Sequence, residues 1–295
     1  MLSARQTRAV LALLGASFLF GATFVVVKSA LADVEPFGFV AWRFLLGAAA
    51  LSLLAVPRGR RIWIHGSVAG VALFAGYGLQ TAGLVATSAA NSALITGLYV
   101  VLTPFLAALF TKVRPGLWVV SGAAAAFVGV VLLTGVEGLA LSTGDLLTVG
   151  CAVAFSAHIV ILSRVAYQHP VIPFTAVQLA VTALAAFPVS WIFESGPSIP
   201  DRSVWGAIAL TGLGVSAGAY LLQIWAQTVV GAATAATVLA AEPGFGVATA
   251  WVVLGERLSA RGWLGAVLIV GAIYLVVMRQ PDDTSLAAEA VTPAH

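Results

Sequence analysis

The stretch VLAAEPGFGVATAWVVLGERLS, residues 238–259, puts the carboxyl group of Glu242 directly before Pro243 and surrounds both with apolar residues. Whether an acid can sit beside a helix-breaking residue in such a run depends on the solvent around it. The rest of the chain supplies the answer. Of 295 residues, 61% are hydrophobic and 8% charged, against about 25% charged in a typical soluble domain. The mean hydropathy is +1.05. In water such a chain would show large apolar patches and aggregate. Lipid is its natural solvent, and apolar runs of roughly 17–25 residues then read as membrane-spanning helices. The predicted fold class is therefore all-α integral membrane.

Outward from Glu242, apolar runs and Pro/Gly punctuation divide the chain into ten transmembrane helices. They are predicted near 9–28, 36–56, 66–86, 91–111, 116–135, 146–165, 172–193, 204–224, 231–253 and 261–279. The breaks fall at Pro36, Pro57-Arg58-Gly59, Pro115-Gly116, Pro170 to Pro173 and Pro197 to Pro200. Residues 280–295 read as a polar, disordered cytoplasmic tail. Arg5 and Arg8 followed by an apolar run resemble a signal peptide, but the run 9–27 is longer than the usual ~7–15 residues, and Lys28 interrupts it before Ala30-Leu31-Ala32. It is read as a retained first helix.

Ten spans with a cytoplasmic N-terminus place Arg5, Arg8, Arg58, Arg60, Arg61, Lys112, Arg114, Arg164 and Arg279 inside, and Lys28, Arg202, Arg257 and Arg261 outside. That bias obeys the positive-inside rule, so both termini are expected in the cytoplasm of a cell with this protein in its cytoplasmic (inner) membrane. The net charge of +3 comes from basic residues scattered at span ends. They form no stripe, so a nucleic-acid partner is excluded. The single cysteine, Cys151, excludes a disulfide framework and a thiolate metal site.

The two halves resemble each other. SFLFGATFVVVK (17–28) aligns loosely with VAFSAHIVILSR (153–164), so Phe20 corresponds to Phe155, Gly21 to Ser156 and Arg43 to Gln178. NSALITGLYVVLTPFLAALF aligns with ATAATVLAAEPGFGVATAWVVL, so Pro104 corresponds to Pro243. Five spans per half is an odd number, so the second half enters from the opposite side. That is the inverted-topology five-helix repeat of secondary transporters, with a substrate site near the midplane between the halves. The predicted halves are 8–135 and 146–279.

Five-plus-five spans, the Glu-Pro pair and LGERLSARGWLGAVLIVGAIYL (254–275) together resemble the EamA group of the drug/metabolite transporter superfamily. Its halves each carry a Pro, a Leu-Gly-Glu and a Gly in that order. The first half here departs from this, with Thr103-Pro104 and then TKVRPG where Leu-Gly-Glu would stand. The resemblance implies a metabolite carrier working by alternating access, more often an exporter, in some members proton-linked.

At membrane depth a charge costs about 2.5 kcal/mol or more on insertion scales, so such residues face a cavity or pair with something. Pro243 has no N–H, and its ring leaves the carbonyl one turn earlier, near Leu239, without its helical partner. Gly244 and Gly246 loosen the helix further. Glu242 therefore marks a place where the ninth span faces the protein interior. Two roles stay open for it. It can bind a proton, a cation or a cargo amino group, or it can accept hydrogen bonds that hold the broken helix.

Arg43 can clamp a cargo carboxylate, or snorkel to the outer interface and pair with Asp33 or Glu35. His158 can relay protons, or hydrogen-bond across helices as a neutral ring; no second histidine stands at ligand spacing, so no metal is expected. Tyr77 and Gln80 are three apart, as are Tyr220 and Gln223, and residues so spaced share a helix face. With Asn91, Tyr99, Gln178 and Trp225 they supply polar or aromatic tips for a cavity, against the alternatives of an interface belt or interhelical bonds. Gly21, Pro104, Pro243 and Gly244 are the candidate bending points. GVSAG (214–218) matches the serine-hydrolase elbow, but that motif works at a strand-to-helix turn, and here small residues let helices approach.

The functional expectation is a secondary transporter of small metabolites, amino acids or amphipathic compounds, directed toward export. Its partners would be the cargo, the bilayer, a proton or counter-substrate, and a homo-oligomeric neighbour, with spans 5 and 10 either stabilising the bundle or forming a partner-facing surface. No cofactor and no enzymatic activity are expected. The rival readings are an intramembrane enzyme using His158, Glu242 and Ser216, and a passive channel.

Overall fold

The computed structural model describes residues 4–111, 116–134, 142–197, 199–230, 235 and 238–278. Lys112, Arg114, Pro115, Glu137, Arg279, the tail 280–295 and the first residues of the ninth predicted span lie outside the described residues.

Among the described residues the regular structure is helical: α1 (Ala4–Ala30), α2 (Pro36–Leu54), α3 (Arg60–Val85), α4 (Ala89–Thr96), α5 (Tyr99–Thr111), α6 (Leu117–Thr134), α7 (Thr143–Val165) and α8 (Val171–Phe193). They continue as α9 (Arg202–Gln227), α10 (Glu242–Leu254) and α11 (Ala260–Met278). Seven helical stretches are long and apolar enough to cross a membrane, with α4 and α5 together forming one of them. The fifth and tenth predicted spans contain shorter apolar helices, Val120–Leu133 and Ala260–Leu275. The chain is thus a multi-pass helical membrane protein.

Local chemistry sets the helix ends. Pro36 opens α2, where a missing N–H costs nothing. Ser142 caps α7 by accepting from Asp145 N (3.1 Å), while its own hydroxyl donates to Asp145 Oδ2 (2.6 Å). Ser88 caps α4 through Asn91 N. Gly255 closes α10 in the left-handed conformation (φ 67°), which a residue with a Cβ adopts only at a cost.

Two predicted spans are less regular than their sequence suggests. The fourth is interrupted at Gly97–Leu98, several residues before Pro104, and α5 continues through that proline. The eighth widens over Leu210–Ala219 into a π-helix. Such wide turns concentrate at functional sites.

Helices from the first part of the chain pack largely against those from the second. α2 lies on α8, α6 on α11, and α3 on both α7 and α8. α1 lies against α9 and α10, and α5 against α7. Close approaches need glycine at these crossings: a Cβ on Gly21 would stand 2.7 Å from the Glu242 carbonyl oxygen.

Carboxylates stitch one end of the bundle. Glu194 accepts from Phe37 N (2.7 Å) and Gly38 N (3.0 Å) at the start of α2. Glu256 accepts from Ala89 N (3.0 Å) and Ala90 N (2.9 Å) at the start of α4. Glu35 accepts from Ser195 N (2.9 Å), and Thr87 donates to Asp145 (2.7 Å). Lys28 Nζ donates to the carbonyls of Leu84 (2.6 Å) and Thr87 (2.8 Å), where α3 ends. Acids at helix N-termini and a lysine at a C-terminus each satisfy orphan backbone groups and complement the helix dipole. At the opposite end His65 Nδ1 and His169 Nε2 are 2.8 Å apart, joining the start of α3 to the turn before α8.

Candidate functional site

The proline at position 243 has the effect its chemistry dictates. With no helical donor, the Leu239 carbonyl accepts instead from the hydroxyls of Tyr99 (3.4 Å) and Ser17 (3.5 Å), on α5 and α1. Glu242 opens α10 with a buried side chain, and the single Tyr99 hydroxyl proton is shared between its Oε2 (3.0 Å), the nearer acceptor, and the Leu239 carbonyl. Gly97, at the break between α4 and α5, packs directly on the Pro243 ring. Two interrupted helices therefore meet beside the acid.

Glu242 lines a cavity at the centre of the bundle. Tyr77, Gln80, Tyr99, His158, Tyr220 and Gln223 share that wall, so the structure gathers seven of the sequence-predicted residues around one space. The cavity holds about 40 Å³, room for one or two waters and too small for a metabolite.

The aromatic wall is cross-braced between the two parts of the chain. Phe20 of α1 tilts on Tyr220 of α9 (5.1 Å between ring centres), and Phe155 of α7 meets Tyr77 of α3 edge-on (5.0 Å). Phe20 and Phe155 are the repeat-related pair found in the sequence. The Tyr220 hydroxyl donates to that of Tyr77 at 3.3 Å, closing the centre.

His158 Nε2 lies 2.8 Å from Gln178 Oε1, and the Gln178 amide nitrogen donates to the Phe174 carbonyl (3.3 Å). The amide is thereby oriented, and His158 must donate through Nε2–H, leaving Nδ1 as an acceptor when neutral. Gln178 does not itself reach the cavity wall; it touches the wall residue His158 from behind. Gln80 donates to Thr96 Oγ1 (3.3 Å), which also meets Cys151 Sγ (3.9 Å).

Arg43 is fully buried. Its Nε donates to Ser216 Oγ (2.8 Å) in the π-helical stretch, and its guanidinium carbon sits 4.7 Å from the centre of the Tyr77 ring. Burial and these partners exclude the snorkelling arrangement. Two predicted residues fall elsewhere: Asn91 sits in the first turn of α4 with its backbone capped by Ser88, and Trp225 packs, half-buried, against the main core. Among the candidate bending points, Gly21 and Pro243 lie in the α1–α10 contact beside the acid, Gly244 has open space around it, and Pro104 lies within α5.

Sequence reasoning passed over Thr23, Phe24, Ile159 and Leu239 as wall residues. Thr23 and Phe24 lie three and four residues beyond Phe20, and Ile159 lies four beyond Phe155. The shared helix face was available as a signal once Phe20 and Phe155 were paired.

A helical membrane bundle around a small, polar-tipped central cavity defines the class. Known proteins supply the family. The EamA-like transporter family model matches residues 7–135 and again residues 142–278. The chain therefore belongs to the EamA-like transporter family. It is 33% identical over 266 residues, covering 89% of this chain and 83% of the relative, to a protein named "Uncharacterized transporter" from Archaeoglobus fulgidus. It is 31% identical to another "Uncharacterized transporter", from Bacillus subtilis (strain 168), over 71% of this chain and 74% of that one. One crystal structure superposes with a TM-score of 0.67 at 24% identity, over 92% of this chain and 99% of the other, and shows a common fold.

Proposed function

We propose that this protein is a secondary transporter that moves small metabolites, amino acids or amphipathic compounds, across the cytoplasmic membrane by alternating access, in the direction of export. The observation that carries this reading is the central cavity, whose wall is assembled from both parts of the chain around Glu242 at a broken helix. Ten spans in two inverted five-helix halves, 8–135 and 146–279, account for the reciprocal packing. The α1–α10 contact in one direction answers the α7–α5 contact in the other, while α2–α8 and α6–α11 pair like with like. An inverted repeat gives two states of equal design, each closed at one end.

The positive-inside bias puts the carboxylate-stitched end outside and the His65–His169 end in the cytoplasm, with both termini there as well. In this arrangement the described state is sealed toward the outside by Glu194, Glu256, Asp145 and Lys28. Rocking about Gly21, Gly97 and Pro243 would break those bonds and open the cavity outward. Glu242 serves as the ionisable group that cargo or a proton engages, with Tyr99 holding it in place. Tyr77, Gln80, His158, Tyr220 and Gln223 complete the binding surface, and Arg43 and Gln178 act from behind Tyr77 and His158.

Counterflow in proteoliposomes with a labelled metabolite panel at two pH values tests this reading. Saturable exchange that Glu242→Gln reduces at least tenfold, or frees from pH, is the expected result. Flux that rises without saturation and shows no trans-stimulation would mean a channel instead.

A further inference from the structure

Among the described residues, Arg43 is the charged side chain with buried nitrogens left unpartnered. Both Nη1 and Nη2 are buried with no acceptor at good hydrogen-bond geometry; Nε donates to Ser216, and the nearby Tyr77 hydroxyl gives the guanidinium at best a weak contact. The ionisable groups that act on the guanidinium are the phenols of Tyr77 and Tyr220, and no carboxylate is among them. Glu242, the acid of the cavity, is engaged by Tyr99 instead.

Such an arrangement is costly in a membrane interior. Aromatic faces at 4.7 and 5.3 Å, from Tyr77 and Phe44, offset part of the cost but supply no counter-charge. Replacing a buried, poorly paired charge by an uncharged side chain of similar size is commonly neutral or stabilising. The fold alone therefore gives no reason for an arginine here.

The surroundings nevertheless hold it in a fixed position. Gly212, in the π-helical stretch, comes so near that a Cβ there would stand 2.7 Å from the Arg43 carbonyl oxygen. A Cβ on Gly47, one turn on, would stand 2.9 Å from the Gly212 carbonyl. The same stretch carries Ser216. Tyr77 has the cavity on its surface and the guanidinium against its ring. Its hydroxyl accepts from Tyr220 at 3.3 Å, near the long limit for such a bond, and faces the Arg43 guanidinium on its other side.

We infer that the Nη1 and Nη2 groups of Arg43 receive the carboxylate of the cargo when the Tyr77–Tyr220 contact parts. A planar guanidinium with two free N–H-bearing nitrogens matches a carboxylate bidentately. This inference rests on the transport reading above and specifies its substrate class: a small molecule bearing a carboxylate, whose remaining polar group meets the Glu242 side of the cavity. Arg43 then decides which head group is admitted, and the Tyr77–Tyr220 pair is the element displaced on binding.

The test uses full-length protein in proteoliposomes and two matched trios of probes. These are alanine, ethylamine and propionate, and phenylalanine, phenethylamine and 3-phenylpropionate. Counterflow is measured for wild type, Arg43→Gln and Arg43→Lys, and thermal unfolding of each is followed in detergent. The expected result is that exchange by wild type is confined to carboxylate-bearing probes. It should fall about tenfold or more in Arg43→Gln, as the loss of two charge-assisted hydrogen bonds implies. Arg43→Lys should recover little, because an ammonium lacks the planar fork. Arg43→Gln should melt no lower than wild type, which separates lost recognition from lost folding.

Exchange of amine-only probes as fast as the carboxylates would overturn the inference and leave the transport reading standing. So would wild-type carboxylate exchange by Arg43→Gln, or a melting point several degrees lower in that variant. No counterflow by wild type with these probes or the metabolite panel would remove the transport reading, and this inference with it.

Discussion

Replacing Glu256 by alanine tests whether a single carboxylate fastens the start of α4. Its two oxygens accept from Ala89 N at 3.0 Å and Ala90 N at 2.9 Å, and both alanines are buried. Ser88 already serves Asn91 N, so Glu256 and Ser88 together satisfy the N–H groups of the first three residues of this helix. Each hydrogen bond to a charged group contributes about 1.5–3 kcal/mol. Glu256 itself is half-buried, so water can reach its side of the contact and recover part of that. A loss of about 2 kcal/mol follows, at the upper end for an N-terminal cap. Glu256→Gln keeps one acceptor oxygen and should cost roughly half as much. Thermal unfolding in detergent gives the stability change, and amide hydrogen exchange gives its location. Ala89 and Ala90 should lose protection in Glu256→Ala while Asn91 keeps it, and Ser88→Ala should do the reverse. Unchanged melting with unchanged protection at Ala89 and Ala90 would refute the idea that this acid holds the helix.

Other outcomes follow from the same geometry. Tyr99→Phe removes the hydroxyl shared by Glu242 Oε2 and the Leu239 carbonyl, and should destabilise the protein by about 1–2 kcal/mol with slower counterflow; a variant as stable and active as wild type would show that water replaces it. The His65–His169 contact should weaken in acid. Partial burial and then the neighbouring His65 hold His169 below the ordinary histidine range, so the unfolded chain takes up that proton first as pH falls. The stabilisation is then complete above about pH 6.5 and declines below it. Wild type should therefore lose more thermal stability than His169→Gln between about pH 7.5 and 5.5, and parallel curves would contradict this.

Much of the site was legible because lipid makes polar residues conspicuous. Glu242 and Pro243 announced an interior-facing break, and the Leu239 carbonyl that Pro243 frees is the one met by Tyr99 and Ser17. The Tyr-x-x-Gln pairs were readable as one helix face each, and both faces reached the cavity. Apolar wall residues such as Ile159 carried no comparable signal, because lipid-facing and cavity-facing residues are equally hydrophobic here. The interruption at Gly97–Leu98 was obscured by Pro104, the stronger helix breaker on paper. The π-helical stretch Leu210–Ala219 left no mark in its composition, since small residues also suit ordinary close packing. Asn91 and Trp225, chosen as bare residue types, lie off the cavity wall, one in the first turn of a short helix and the other against the core.

The proposed opposite threading of two halves around one central cavity can be tested directly at repeat-related loops. Ala32, after α1, and Tyr167, after α7, occupy corresponding places, and both are exposed. Single cysteines at each, in a Cys151→Ser background, can be labelled in intact cells with a membrane-impermeant maleimide. Ala32→Cys should react from outside and Tyr167→Cys only after the membrane is permeabilised. Labelling of both from the same side would contradict the inverted arrangement.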